Sequence, residues 1–222
     1  MAQTRINLPT KIDLERFVAD QSHDLRTPFN HIVGFSRMLL NYVEDAPLTE
    51  SEKEDLGTIY RSGMRALVRM NGLIDIARIN RHEIELDIAE INIEQLIEQS
   101  QIQWEKYNLD AGIQTEYRIL TSSTTLHADE QLARQIVSGF LAYVATYCEA
   151  KAKVTFTIEE EPGWFVLTFA SSGTKARRLS EMDLEMLGFV NRTFVEQHGG
   201  EIRQAEENDE GAIIQIALPK KM

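Results

Sequence analysis

The chain has 222 residues, 43% hydrophobic and 26% charged, enough for one large domain or two small ones with their own cores, and this excludes disorder as its main state. Lys and Arg number 23 against 35 Asp and Glu, a net charge of −12 that opposes general binding to nucleic acid or anionic membrane. Its longest mostly apolar stretch, Val137 to Thr146, is well short of the ~20 residues that cross a bilayer. The polar N-terminus lacks a signal-peptide pattern and the single cysteine, Cys148, makes no internal disulfide, so a soluble cytoplasmic protein without a structural metal is expected.

The first predicted element is a long helix. A 4-3 spacing runs through Leu14, Val18, Gln21, Leu25, Pro28, Ile32, Phe35, Leu39 and Tyr42, the seam of a helix packed against partners. Asp45-Ala46-Pro47-Leu48 stops it, and Thr49 with Glu52 makes a capping-box start for a second helix. That helix repeats the spacing at Leu56, Tyr60, Gly63, Leu67, Met70, Ile74 and Ala77. The short connection predicts an antiparallel hairpin. Phe17, Phe29, Ile59, Leu73 and Ile76 widen the apolar stripes beyond what two helices cover, so a second copy is expected to complete a four-helix bundle.

After His82 the period changes. Ile84, Leu86 and Ile88 alternate with acids as in a strand, and Ile91 to Tyr107 returns to helical spacing. Glu83 to Asp110 carries eight acids and one base, Lys106, read as a solvated face. Ile113 to Leu120 is a predicted strand and Asp129 to Tyr147 a helix buried on most sides. Lys153 to Ile158 and Trp164 to Ala170 flank Glu159 to Gly163 as a hairpin. Met182 to His198 is a helix ended by Gly199-Gly200, and Ile202 to Ala205 with Ala212 to Leu218 forms a last hairpin. The expected fold class is α+β: a helical hairpin over residues 10–82, then a sandwich over residues 83–220 with helices on one face of a mixed sheet.

Chemistry concentrates in Ser22-His23-Asp24-Leu25-Arg26-Thr27-Pro28. With Val18 and Leu25 as consecutive a positions, His23 falls at f, directly away from the seam and open to a visiting protein. Thr27 lies one turn on, close to the same face. A neutral imidazole is a good nucleophile at pH 7, and an adjacent carboxylate such as Asp24 orients it or takes its proton. Pro28 removes one helical hydrogen bond just past the histidine. His31, His82, His127 and His198 show no paired ligand spacing and read as surface or capping residues. Trp104 and Trp164 read as core or rim aromatics, Cys148 as a buried structural thiol, and Lys175, Arg177 and Arg178 as a solvated basic loop.

The segment resembles the H-box of the sensor histidine kinases, and the likeness extends over about Asp13 to Arg81, the dimerisation and histidine-phosphotransfer domain. The resemblance implies that His23 is the phosphoacceptor, that Asp24 assists transfer, and that Thr27 holds the position which in many relatives orients water for dephosphorylating a response regulator. Arg26 and Pro28 are supporting members of the motif.

Residues 83–220 are similar in element order to the family's ATP-binding domain, a Bergerat-type α/β sandwich, but depart from its motifs. Where the family's N-box places a magnesium-holding Asn, Gly139-Phe140-Leu141-Ala142-Tyr143-Val144 offers Tyr143, which does not replace a compact amide oxygen at a hard cation. Where Asp-x-Gly-x-Gly reads adenine, the chain has Ser171-Ser172-Gly173-Thr174-Lys175. The Gly-x-Gly-Leu box falls on Glu185-Met186-Leu187-Gly188, whose glutamate repels phosphate. The stretch from Gly173 to Met182 is short for a lid over ATP.

The expectation is therefore a two-component phosphorelay protein that passes phosphoryl between His23 and aspartates of a response-regulator receiver domain, as a homodimer, with ATP binding lost and no cofactor or metal. Two alternatives stand beside it. One is an active sensor histidine kinase with ATP and magnesium. The other is a non-catalytic pseudokinase scaffold that binds a partner histidine kinase or a response regulator.

Overall fold

The structure is a computed structural model; it describes residues 4–5, 11–12, 27–28, 31–32, 49–107, 112–148, 152–173, 179–208 and 210–221. The chain divides into two compact units, Asp13–Ala77 and Met1–Ile12 with Arg78–Met222. Among the described residues no helix is long and apolar enough to cross a membrane.

In the first unit, Thr27, Pro28, His31 and Ile32 are helical, as the 4-3 spacing predicts. Helix α1 spans Glu50–Asn80. It begins with the expected capping box: the Glu52 carboxylate accepts the Thr49 N–H, and Thr49 Oγ1 accepts the Glu52 N–H at 3.3 Å. Two seam positions meet, since a Cβ placed on Gly63 would lie 3.5 Å from Ile32 Cδ1. The most enclosed stripe of α1 runs beside the seam through Ser62, Ala66 and Ile76, while the seam residues Leu56, Tyr60, Met70 and Ile74 are 40 to 54% exposed.

Helix α1 ends in a Schellman motif. The Glu83 N–H donates to the Arg78 carbonyl at 3.0 Å and the His82 N–H to that of Ile79 at 3.1 Å, with His82 in the left-handed region at φ +54°. A Cβ is unfavourable there. His82→Gly is expected to raise the stability of the chain by about 0.5–1 kcal/mol, measured by denaturant unfolding.

The second unit holds a six-stranded sheet in the order β1-β7-β8-β6-β5-β3 and a two-stranded ribbon β2-β4. The strands are β1 Thr4–Arg5, β2 Ile88–Asn92, β3 Gln114–Leu120, β4 Thr125–Asp129, β5 Lys153–Glu161, β6 Trp164–Ser172, β7 Glu201–Asn208 and β8 Gly211–Pro219. Among the described residues only β3 and β5 pair in parallel, so the sheet is mixed as expected. Three helices accompany it: α2 Ile93–Tyr107, α3 Glu130–Ala145 and α4 Glu181–Gln197. Helix α3 packs against β5, β6 and β8, with α2 and α4 beside it.

Period-2 alternation in β5 turns Val154, Phe156 and Ile158 to the core. Phe169 stands 5.1 Å from Phe156 and 5.4 Å from Phe140 of α3, ring centroid to centroid, and each buried ring contributes roughly 2–3 kcal/mol. Trp104 is buried and donates through Nε1 to Thr115 Oγ1 at 2.9 Å; Cys148 is buried as well.

Two segments and two strands differ from the expectation. Residues 84–86 are not in a strand: Ile88 already pairs with Asp129, the last residue of β4, and α3 starts at Glu130, so no partner backbone remains for them. Glu159 to Glu161 continue β5 rather than forming a loop, because the acids are exposed and engaged. Glu160 accepts from Lys220 Nζ at 2.6 Å, Thr121 Oγ1 at 2.5 Å and Ser123 Oγ at 3.1 Å, which holds its carboxyl down at about 2. Glu161 accepts from Arg203 at 2.6 Å. Strands β1 and β4 were not expected at all, being too short to show a period.

Candidate functional site

Two places carry the chemistry expected from the sequence, and each belongs to one unit. In the helical unit, His23 and Asp24 lie outside the described residues. Of the same motif, Thr27 is exposed and Pro28 buried, both within helix. Thr27 therefore stands on a solvent-facing side of the helix.

In the α/β unit, α3 brings up Tyr143. Asp129 caps this helix by accepting the Leu132 N–H at 3.0 Å, and the helix is so apolar that Ile136 to Ala145 are all buried. Tyr143 is buried with its ring 6.3 Å from that of Tyr147. Burial first, and the Glu207 carboxylate second, push its hydroxyl up to about 12. Burial and a hydrogen bond to Glu207 push Tyr147 upward too. One turn before Tyr143, Gly139 touches α4: a Cβ there would lie 2.7 Å from Asn191 Cγ. Asn191 is itself buried and donates to the Leu187 carbonyl at 2.8 Å, so it does not move away without losing that bond.

At the end of β6, Ser171 pairs across the ladder with Ala212 and accepts its N–H on Oγ at 3.1 Å. Gly173 follows at φ +123° and donates its N–H to the Glu210 carbonyl at 2.8 Å. Gly211 in the facing strand approaches Ser171 so closely that a Cβ on it would lie 2.8 Å from the Ser171 carbonyl carbon, at a φ of +143° that suits glycine alone. Lys175, Arg177 and Arg178 lie outside the described residues.

Helix α4 opens with a second capping box. Ser180 Oγ accepts the Asp183 N–H at 3.1 Å, and Asp183 Oδ2 accepts the Ser180 N–H at 3.4 Å and its hydroxyl at 2.8 Å. Glu181 and Asp183 place two acids in the first turn, and exposed Glu185 follows one turn on. Negative charge suits this positive helix end, so the chain's own carboxylates fill the role that a phosphate would otherwise take.

The sequence reading missed one residue of the second unit. His198, expected at the surface or as a cap, ends α4 in the cap position but is 1% exposed and bonded to Asp129 across the fold. A histidine directly before Gly199-Gly200 at a helix end was the available signal. The other three, His31, His82 and His127, are exposed.

Residues 13–82 match the His Kinase A (phospho-acceptor) domain. The histidine protein kinase DivJ of Caulobacter vibrioides is 25% identical over 92% of this chain and 37% of its own length. Among solved structures, the Acinetobacter baumannii histidine kinase AdeS superposes with a TM-score of 0.62 at 16% identity, covering 90% of this chain and 98% of its own. The histidine kinase ThkA, solved in complex with the response regulator protein TrrA, superposes with a TM-score of 0.60 at 20% identity over 94% of this chain and 62% of the other. These structures share the fold. The chain spans less than half the length of the curated relatives it matches first.

Proposed function

We propose that the chain is a member of the sensor histidine kinase family, as the match of residues 13–82 to the His Kinase A (phospho-acceptor) domain supports, and that it carries a phosphoryl group on His23, exchanged with the aspartate of a response-regulator receiver domain, without drawing on ATP. Residues 10–82 are then the phosphotransfer hairpin, and residues 83–220 a surface that shapes and docks.

The observation that supports this reading is the closure of the α4 N-terminus by Ser180 and Asp183, with Glu185 behind them. A nucleotide's phosphates need free N–H groups and positive potential at such a place. Here the end is capped in cis and acidic. The neighbouring positions point the same way: Tyr143 is enclosed beside Tyr147, Ser171 holds Ala212, and Gly173 is bonded to Glu210. The residues present do not fit ATP with magnesium in the family manner.

Transfer runs from the receiver's aspartyl phosphate. The neutral imidazole attacks phosphorus, an N–P bond forms as the bond to the aspartate oxygen breaks, the electron pair leaves with the carboxylate, and Asp24 takes the ring proton. The return step reverses each of these. Phosphohistidine is energetic enough to phosphorylate a carboxylate when the two are held in line and the receiver supplies its own metal. That ThkA was solved with a response regulator supports a receiver as the partner. Thr27, exposed and four residues from His23 in sequence, then orients water against a bound receiver's phosphate.

The exposed seam of α1 supports a homodimer. Leu56, Tyr60, Met70 and Ile74 repeat at heptad spacing and stand open on one chain, an apolar row that a second copy covers. Calorimetric titration of the full chain with ATP and magnesium tests the nucleotide half of the proposal. No saturable binding is expected up to about 1 mM, the upper end of ordinary KM values; saturation below that overturns it.

A further inference from the structure

His198 bonds through both ring nitrogens. Nδ1 lies 2.6 Å from the Phe194 carbonyl oxygen, and Nε2 lies 3.1 Å from the Asp129 backbone nitrogen. A carbonyl only accepts and a backbone N–H only donates, so the partners fix the ring: Nδ1 carries the proton and Nε2 is bare. Asp129 is itself a junction. It ends β4, caps α3 through Oδ1, and accepts the Asp87 N–H on Oδ2 at 3.1 Å just before β2 begins. One buried imidazole thus ties the end of α4 to the start of α3 and to the β2–β4 ribbon.

We propose that His198 is a proton-released latch: neutral, it clamps the β2–β4 ribbon and the α3 cap to the end of α4; protonated, it lets the ribbon open. A proton on Nε2 sets two donors face to face, His198 Nε2–H and Asp129 N–H, and encloses a charge. The bond to Asp129 breaks, and the same aspartate holds Asp87.

The charges around the ring set the direction. Burial lowers its proton affinity below the ordinary 6.5, against the opposing pull of the Phe194 carbonyl and of the Asp129 carboxylate from the β4–α3 side. On α4, Glu196 is exposed and turned to Arg192; on β7, Glu201 is exposed and turned to Arg203. A ring that binds its proton more weakly when latched than when released makes opening easier as pH falls. The latch is fully closed above the released ring's value near 6.5 and loosens below it. The gain in opening approaches about tenfold per pH unit between the released and latched values.

Two measurements on the full chain decide this. Nitrogen NMR of the ring, assigned by its loss in His198→Gln, should show a neutral ring at pH 7 with the proton on Nδ1. The opposite tautomer, or a charged ring, overturns the proposal. Hydrogen exchange, corrected for its intrinsic pH dependence, should show the amides of Asp87, Ile91 and Asp129 losing protection from about pH 8 to about pH 5, while Ile214 and Ile216 in β8 hold theirs. Protection that ignores pH, or falls equally at Ile214 and Ile216, contradicts a local latch. His198→Gln should remove the slope at the three ribbon amides; if that variant does not fold, the wild-type ring and exchange data decide alone.

Discussion

Incubated with a phosphorylated receiver domain, the wild-type chain should take up acid-labile phosphate and His23→Ala should take up none above background. The expectation follows from placement. The 4-3 spacing of the sequence assigns His23 to an f position, and Thr27, four residues later, is exposed. The remaining histidines offer no substitute: His198 is enclosed and bonded at both nitrogens, His31 and His127 lack an adjoining carboxylate in sequence, and the Glu83 beside His82 is paired with Arg81 at 2.9 Å. Asp24→Asn separates the two roles, because the imidazole remains and the proton acceptor is gone. Its rate should fall about 10²-fold or more while the label stays on His23. Equal labelling of wild type and His23→Ala removes the phosphotransfer reading and leaves the scaffold reading in its place.

Ile74→Asp should break the dimer with little effect on the single chain. Ile74 is 51% exposed, so replacing it leaves the inner stripe of α1 through Ser62, Ala66 and Ile76 intact. In a homodimer the same position enters the interface twice. Burying one carboxylate per copy at about 2 kcal/mol each comes to about 4 kcal/mol, or roughly a 10³-fold rise in the dimer dissociation constant. Sedimentation equilibrium gives that constant, and circular dichroism checks that the helices remain. An unchanged dimer places the interface elsewhere and leaves the exposed seam without a partner.

What the sequence revealed and what it hid follow from the range of each interaction. Local rules worked where the signal is local: Thr49 and Glu52 form their capping box, Asp129 opens a buried helix, and Val154, Phe156 and Ile158 alternate into the core. The seam of α1 was legible as a heptad. Its division into a row exposed on one chain and an enclosed row beside it was not, since burial depends on side chains brought up from elsewhere in the chain. Strand β4 was hidden because five residues, Thr125–Asp129, show no usable period, and only pairing with Ile88–Asn92 makes them a strand. His198 was hidden for a related reason: its partner lies 69 residues away, and no sequence spacing carries such a bond.

At the degenerate nucleotide positions the sequence identified the departures, and the structure adds what each residue does instead. Ser171 and Gly173 bind neighbouring strands, Tyr143 fills space beside Tyr147, and Asn191 occupies the room that a side chain at 139 would need. Glu185 is exposed, and the helix end before it was closed by Ser180 and Asp183, a capping pair that the sequence reading passed over by starting the helix at Met182.

The account stands on the source of the phosphoryl group. The direct measurement is to give the wild-type chain labelled ATP with magnesium in one reaction and a labelled phospho-receiver in another, then read acid-labile phosphate on His23 in both. The account predicts label from the receiver and none from ATP; label from ATP that is lost in His23→Ala contradicts it.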